Sequence, residues 1–284
     1  MHTRPYKQVD VFTATPYLGN PLAVVLDGAA LSSAEMQSFA RWTNLSETTF
    51  VVPATDPQAD YQIRIFTPGG EMPFAGHPTL GSCHAWLEAG GKPKAKAFVV
   101  QQCGVGLVKI RREQNRLAFG APAMRRSAPS TTLLARVARA VGLKAEQIIA
   151  AQLLDNGTTW LGLLLADAST VLQLTPNFPE LKELGQKVGV VAVRAVPPSE
   201  ADVASVEVRG FAPHLGINED PVTGSLNASL AQWLIADGHA PERYVAAQGA
   251  CLDRAGRVFI ERDASGQVWV GGQSVTCISG SAAI

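Results

Sequence analysis

A chain of 284 residues, 46% of them hydrophobic and 17% charged, has ample apolar material for a core, and its length suits two medium domains. Its 24 basic and 24 acidic residues cancel, which excludes an overall field drawing the chain to nucleic acid or to an anionic membrane. No window approaches the roughly 18 apolar residues of a membrane-spanning helix, and the opening MHTRPYKQVDVF has no apolar signal region. The expected location is therefore the cytoplasm and the expected partner a small molecule.

Along the chain, KQVDVFTA and NPLAVVLDG read as two short strands joined by the turn TPYLGN. A helix follows over SSAEMQSFARWTN, with Ser32 or Ser33 as its N-cap. TTFVVPA and ADYQIRIFTPGG are strands, the second stopping at Pro68 and Gly69. AFVVQQCGVGLVKIRREQNRLAFGAP is a series of strands turning at Gly104, Gly106 and Gln114-Asn115. Pro122, Pro129 and Ser130 thin the pattern and put a domain boundary near residue 120, giving an N-terminal domain over 1–120 and a C-terminal domain over 121–271. Beyond it come the amphipathic helix TTLLARVARAVGL, a strand in GTTWLGLLLAD, a helix running into a strand in ELKELGQKVGVVAVRAV, and the strand SVEVRGFAP. GRVFIERDASGQVWVGGQSV is a hairpin turning at Ser265-Gly266.

A weak internal repeat organises these elements. YQIRIFTPGGEMPFAGHPTLGSCHAWLEAGG and ASVEVRGFAPHLGINEDPVTGSLNASLAQWLIADGH are each an alternating strand, a Gly/Pro-rich loop with acids, a turn, and a helix carrying Trp-Leu. Trp86 lies ten residues after Gly76, and Trp233 lies ten after Thr223. Two copies of one unit predict two domains of like fold.

The two turns concentrate the candidate chemistry. In the first, Pro78 fits the first helical position and His77 sits at or beside the N-cap. In the second, Asp220 precedes Pro221, and Thr223, Gly224 and Ser225 open the helix. Helix starts present free N–H groups with partial positive charge, suited to a small carboxylate, and they are equally ordinary caps. Glu47, in NLSETTFVV, stands just before an apolar strand, where partial desolvation would raise a carboxyl pKa toward the range useful for proton transfer; a solvated glutamate at a strand start is the plainer alternative.

The other reactive side chains read as structural. Cys83, Cys103, Cys251 and Cys277 have no C-x-x-C spacing, and reduced, mostly buried thiols are expected. Cys83 and His84 are helical neighbours pointing about 100° apart, so they form no nucleophilic pair, and no metal-ligand spacing is present. Phosphate-loop, dinucleotide and nucleophile-elbow motifs are missing as well.

With VDVFTATPYLGNPLAVVL, NLSETTFV, RIFTPGGEMPFAGHPTLG and GINEDPVTGSL in this order, the chain resembles the PhzF-like proteins, named for an isomerase of phenazine biosynthesis and built on the diaminopimelate epimerase fold. The resemblance implies an α+β fold of two similar, pseudo-twofold-related domains, each a β-sheet or barrel wrapped around a central helix. It places the last residues, about 272–284, back in the first domain and one active site in the cleft between domains. It also implies a homodimer that uses no metal or other cofactor. By position, Glu47 matches the glutamate that moves a proton between substrate carbons. His77, Asp220 and Ser225 match residues that hold the substrate's carboxylate and polar groups and assist the proton movement. From the reading of the two helix starts, Gly76, Pro78, Thr79, Thr223, Gly224 and Ser225 are the expected substrate-binding positions. Related racemases use two facing cysteines; here Cys83 has no mate at Leu226 or Asn227, so a two-thiol mechanism is not expected.

The function expected from these residues is a cofactor-independent isomerase of a small carboxylic acid. Glu47 would move the proton while His77 and Asp220 polarise or orient the substrate. The rivals are a hydrolase or lyase in which Glu47 or Asp220 activates water, and a carboxylate-binding protein without chemistry.

Overall fold

The computed structural model describes residues 2–194 and 203–284, and its contacts divide the chain into two units: 1–120 with 271–284, and 121–270. In the first unit, β1 (Thr3–Val11) and β2 (Asn20–Val25) form an antiparallel pair. The crossover helix α1 (Ser33–Thr43) then leads to β3 (Thr48–Val52), parallel to β2. β3 pairs antiparallel with β4 (Tyr61–Phe66), which carries the two-residue β5 (Glu71–Met72). A second crossover helix, α2 (Gly76–Glu88), precedes β6 (Phe98–Cys103), parallel to β4. β7 (Gly106–Arg112) and β8 (Leu117–Gly120) continue antiparallel. Both parallel pairs require a long crossover, and in each case a helix supplies it.

Ser32 caps α1 in a reciprocal capping box with Glu35, and Asn44 ends the helix in the left-handed region at φ 53°. Helix α2 is different, because its residues from Gly76 through Cys83 are all buried. It touches β1, β2, β3, β6 and β8, so the sheet curls around it. Close approach explains its small residues: a Cβ on Gly81 would lie 2.6 Å from Leu22 Cδ2. Its buried hydroxyls find partners, Ser82 Oγ donating to Thr49 Oγ1 at 2.8 Å.

The second unit repeats the plan. β9 (Arg125–Ser127), helix α3 (Thr131–Val141), β10 (Ile148–Asp155) and β11 (Thr159–Leu165) come first, with β10 antiparallel to both β9 and β11. Helices α4 (Ala168–Gln173) and α5 (Phe178–Leu184) cross to β12 (Lys187–Val193), parallel to β11. β13 (Val206–Ala212) pairs antiparallel with β12 and carries the short β14 (Ile217–Asp220). Helix α6 (Gly224–Ala236) crosses to β15 (Arg243–Gln248), parallel to β13, and β16 (Gly256–Arg262) follows antiparallel. α6 lies against β10, β11 and β16 with Leu226, Leu230, Trp233 and Leu234 buried. On the other face, α3, α4 and α5 pack on Leu161, Leu163, Val188 and Val190.

The chain closes through β17 (Val268–Gly272) and β18 (Ser274–Ala283). β18 runs antiparallel to β1 along its whole length and touches α2, which completes the first unit. The turn before β17 is built on Asp263, whose Oδ1 accepts from the Ser265 and Gln267 N–H groups, with Gly266 at φ 86°.

The fold is thus α+β, two similar units each wrapping a sheet around its own helix, and among the described residues no helix is long and apolar enough to cross a membrane. Several expectations change in detail. α2 is capped by the Ala75 backbone, which places Pro78 third in the helix and His77 second. Any of the first four helical N–H groups lacks a partner within the helix, so a proline is tolerated throughout that turn. Only Cys83 and Cys103 of the four cysteines are buried; Cys251 is exposed and Cys277 half-buried. The thinned stretch at the boundary contains β9, which earns its extended shape by pairing with β10 rather than by any apolar pattern.

Candidate active site

Three elements of the first unit bring Glu47 and His77 together. After Asn44 stops α1, three residues lead to β3, and Thr43 Oγ1 closes the turn on Thr48 Oγ1 at 2.9 Å. Glu47 therefore stands where β3 begins. His77 enters from the first turn of α2, and the Pro21 carbonyl of β2 accepts a hydrogen bond from its ring. His77 Nε2 lies 3.5 Å from Glu47 Oε2, with the two side chains only 5% and 14% exposed.

This geometry fixes the imidazole's chemistry. Nε2 makes no hydrogen bond, so the proton given to Pro21 is on Nδ1. Burial pushes the His77 pKa down to about 3, although the Pro21 carbonyl favours the charged form. The ring is thus neutral near pH 7, and its Nε2 lone pair faces a carboxyl oxygen. A neutral imidazole lone pair and a carboxyl oxygen thus face each other 3.5 Å apart, away from water.

The N-cap of α2, Ala75, has no side chain that could bond to the first helical N–H groups at Gly76 and His77. Thr79 faces inward instead, where its Oγ1 accepts from Gln101 Nε2 at 3.0 Å and Gln101 Oε1 accepts from the Tyr61 hydroxyl at 2.9 Å. Thr79 therefore helps hold the helix start in place.

In the second unit a fully buried glutamine at the end of β15 organises the corresponding turn. Gln248 Oε1 accepts from the Thr223 N–H at 3.0 Å and from Asn227 Nδ2 at 2.9 Å. Its Nε2 donates to the Asp220 carbonyl at 3.1 Å and to Thr223 Oγ1 at 3.0 Å. With that hydroxyl oxygen occupied as an acceptor, the Thr223 proton points to Asp220 Oδ2, 2.6 Å away. The carboxylate is oriented by a relay that begins at Gln248. Thr223 is the N-cap of α6 but caps with backbone only, and Gly224 begins the helix. Ser225 Oγ accepts from Trp160 Nε1 at 3.2 Å, and its carbonyl accepts from Asn156 Nδ2 at 3.0 Å.

Within each unit, then, the expected residues converge: Glu47 with His77 in the first, Asp220 with Thr223 in the second. Cys83 packs in the core, fully buried, and burial pushes its thiol up to about 12, so it carries no thiolate at neutral pH. Gln101, Gln248, Trp160 and Asn156 escape the motif reading. The repeat holds the signal for the glutamines: Gln101 lies 15 residues beyond Trp86, and Gln248 lies 15 beyond Trp233. Each pairs across a parallel ladder with the strand before the helix, Gln101 with Tyr61 and Gln248 with Val208.

Comparison with known proteins agrees with this architecture. The family of phenazine biosynthesis-like proteins, PhzC-PhzF, matches residues 9–280. The antisense-enhancing sequence 1 protein of Schizosaccharomyces pombe is 37% identical, over all of both chains. An uncharacterized isomerase of Pasteurella multocida is 30% identical, over 95% of this chain and 91% of its own. The crystal structure of a PhzF-family phenazine biosynthesis protein from Enterococcus faecalis superposes with a TM-score of 0.81 at 28% identity, covering all of both chains. With the repeated sheet-around-helix units and the motif residues in place, the chain belongs to the phenazine biosynthesis-like (PhzF) family and is an isomerase of the epimerase-like fold.

Proposed function

We propose that the protein is a cofactor-independent isomerase that moves a proton between carbons of a small carboxylic acid, with Glu47 as the proton carrier. The observation that supports this reading is the neutral, buried His77 whose Nε2 faces Glu47 Oε2 at 3.5 Å. Glu47 takes the proton from an acidified C–H, and His77 keeps the carboxyl oriented and its proton mobile. The N–H groups of Gly76 and Gly224 and the hydroxyl of Ser225 stabilise the negative charge that develops on the substrate, a contribution commonly worth several kcal/mol. Asp220, aimed by Thr223, assists the proton movement. A homodimer in the cytoplasm is the proposed setting; sedimentation and cell fractionation test it.

The deciding experiment is NMR in D2O with dihydro-hydroxyanthranilate and a panel of unsaturated and amino carboxylic acids. The expected result is deuterium incorporation or double-bond migration in the wild type, lost in Glu47→Gln with little change in ligand affinity. Asp220→Asn should slow the same reaction on the same substrate. A fully active Glu47→Gln enzyme removes the proposed carrier, and a product of altered mass reassigns the chemistry to a hydrolase or lyase.

A further inference from the structure

The proton chemistry makes no use of Lys187, a cation at the start of β12 in the second unit. Trp160 and Lys187 are direct neighbours across the parallel β11–β12 ladder. The indole N–H is bonded to Ser225 Oγ, and Lys187 Nζ lies over the same indole, 5.4 Å from the ring centroid. Lys187 is half-buried, and burial lowers its pKa. Among the described residues no carboxylate stands within ion-pair distance of this ammonium. Asp155, at the end of β10, attracts it from farther away while its Oδ1 is engaged by the Gly157 N–H. In the turn after β13, His214 keeps Nδ1 buried without a hydrogen-bond partner among the described residues; burial first, and then the nearby Lys187 charge, hold that imidazole toward its neutral form.

A half-buried ammonium that rests on an indole face and has no ion-paired carboxylate among the described residues has its lost hydration replaced only in part, so an arriving anion gains more there than at an exposed lysine. The indole supplies a rigid wall between this charge and Ser225, and it fixes how far apart two anionic groups of one ligand must be. We propose that Lys187, resting on Trp160 with His214 beside it, is a second anion subsite, so that the preferred substrates are acids with a second carboxylate. This rests on the function proposed above, in which a small carboxylic acid meets the Gly224 N–H and the Ser225 hydroxyl.

The test is calorimetric titration of the whole protein, at neutral pH and low salt, with the dicarboxylates from malonate to adipate. Each is compared with its monoamide, which has the same shape and one charge fewer. The expected result is that at least one diacid binds about tenfold more tightly than its monoamide. Lys187→Met should erase that preference while monoamide affinity is unchanged, and Lys187→Arg should retain it. Monoamide binding to Lys187→Met also reports that the variant is folded. Equal affinities of diacid and monoamide throughout the series, or a preference that survives Lys187→Met, overturn the subsite and leave the one-carboxylate reading standing. Failure of every diacid and every monoamide to bind the wild type overturns both.

Discussion

A histidine sealed from water, with one ring proton given to a backbone carbonyl, takes up a second proton only at the expense of its surroundings. The folded pKa of His77 is about 3 against an ordinary 6.5. Between these values the unfolded chain binds a proton that the folded chain does not, so the stability from this group is complete above about pH 6.5 and declines as pH falls toward 3. His77→Gln should flatten that decline. Between pH 7 and 5 the wild type should lose about 2 kcal/mol more than the variant, read from urea unfolding at each pH. His84 and His214, which shift in the same direction, remain in both proteins and cancel in the comparison. Glu47 and His77 were legible as motif residues, but their contact was not, because 30 residues of chain separate them and only the crossover through α2 brings them together. Gln248 was invisible for a different reason. RYVAAQ carries no local mark of a residue that bonds to a turn 25 positions earlier.

The turn before α6 depends on the strand that ends beside it. Gly249 follows Gln248 at φ 99°, and a Cβ there would lie 2.7 Å from the Pro221 carbonyl oxygen, a backbone atom that cannot swing aside. Gly249→Ala should therefore cost about 1–3 kcal/mol and displace Asp220. The measurement is a urea midpoint together with kcat on whichever substrate the exchange assay identifies. Gln248→Leu removes four hydrogen bonds and strands the Thr223 N–H, and a loss of about 2–4 kcal/mol is expected. Gln248→Glu, which keeps the acceptor for Thr223 and Asn227, should recover part of the stability.

Element by element, legibility followed packing environment. α1 and α3 announce themselves through Ser caps and left-handed stops at Asn44 and Gly142. β10, β14, β15 and β18 did not. β15 is buried on both faces after Arg243 and so does not alternate, β14 is a four-residue polar edge, and β18 is built of small, largely exposed residues that are extended because β1 pairs with them.

At the scale of the molecule, the repeat in the sequence foretold two units of one plan, because strand, loop and Trp-bearing helix recur in order. The role of the last strand was not readable from SVTCISGSAA itself. Its place follows from a nine-position pairing with β1 and from backbone bonds between His2 and Ile284 at 2.8 and 3.0 Å. Ending the chain after Gln273 exposes one full edge of β1 and one side of α2. Hydrogen exchange of that truncated protein should show protection lost in β1 and α2 but retained in β12 and α6, and proton-exchange activity should vanish. Equal protection of both units would show that β18 is dispensable.

The pairing of the first strand with the last also sets an order of assembly during synthesis. Residues 121–270 are contiguous, and once they have left the ribosome every strand of that unit is present. The first unit has emerged earlier but holds an open edge at β1 until residues 274–283 arrive, after the whole of the second unit. The half that carries Asp220 and Ser225 can thus be finished while the half that carries Glu47 and His77 waits, and the surroundings of the Glu47–His77 pair are complete only once β18 has closed on β1.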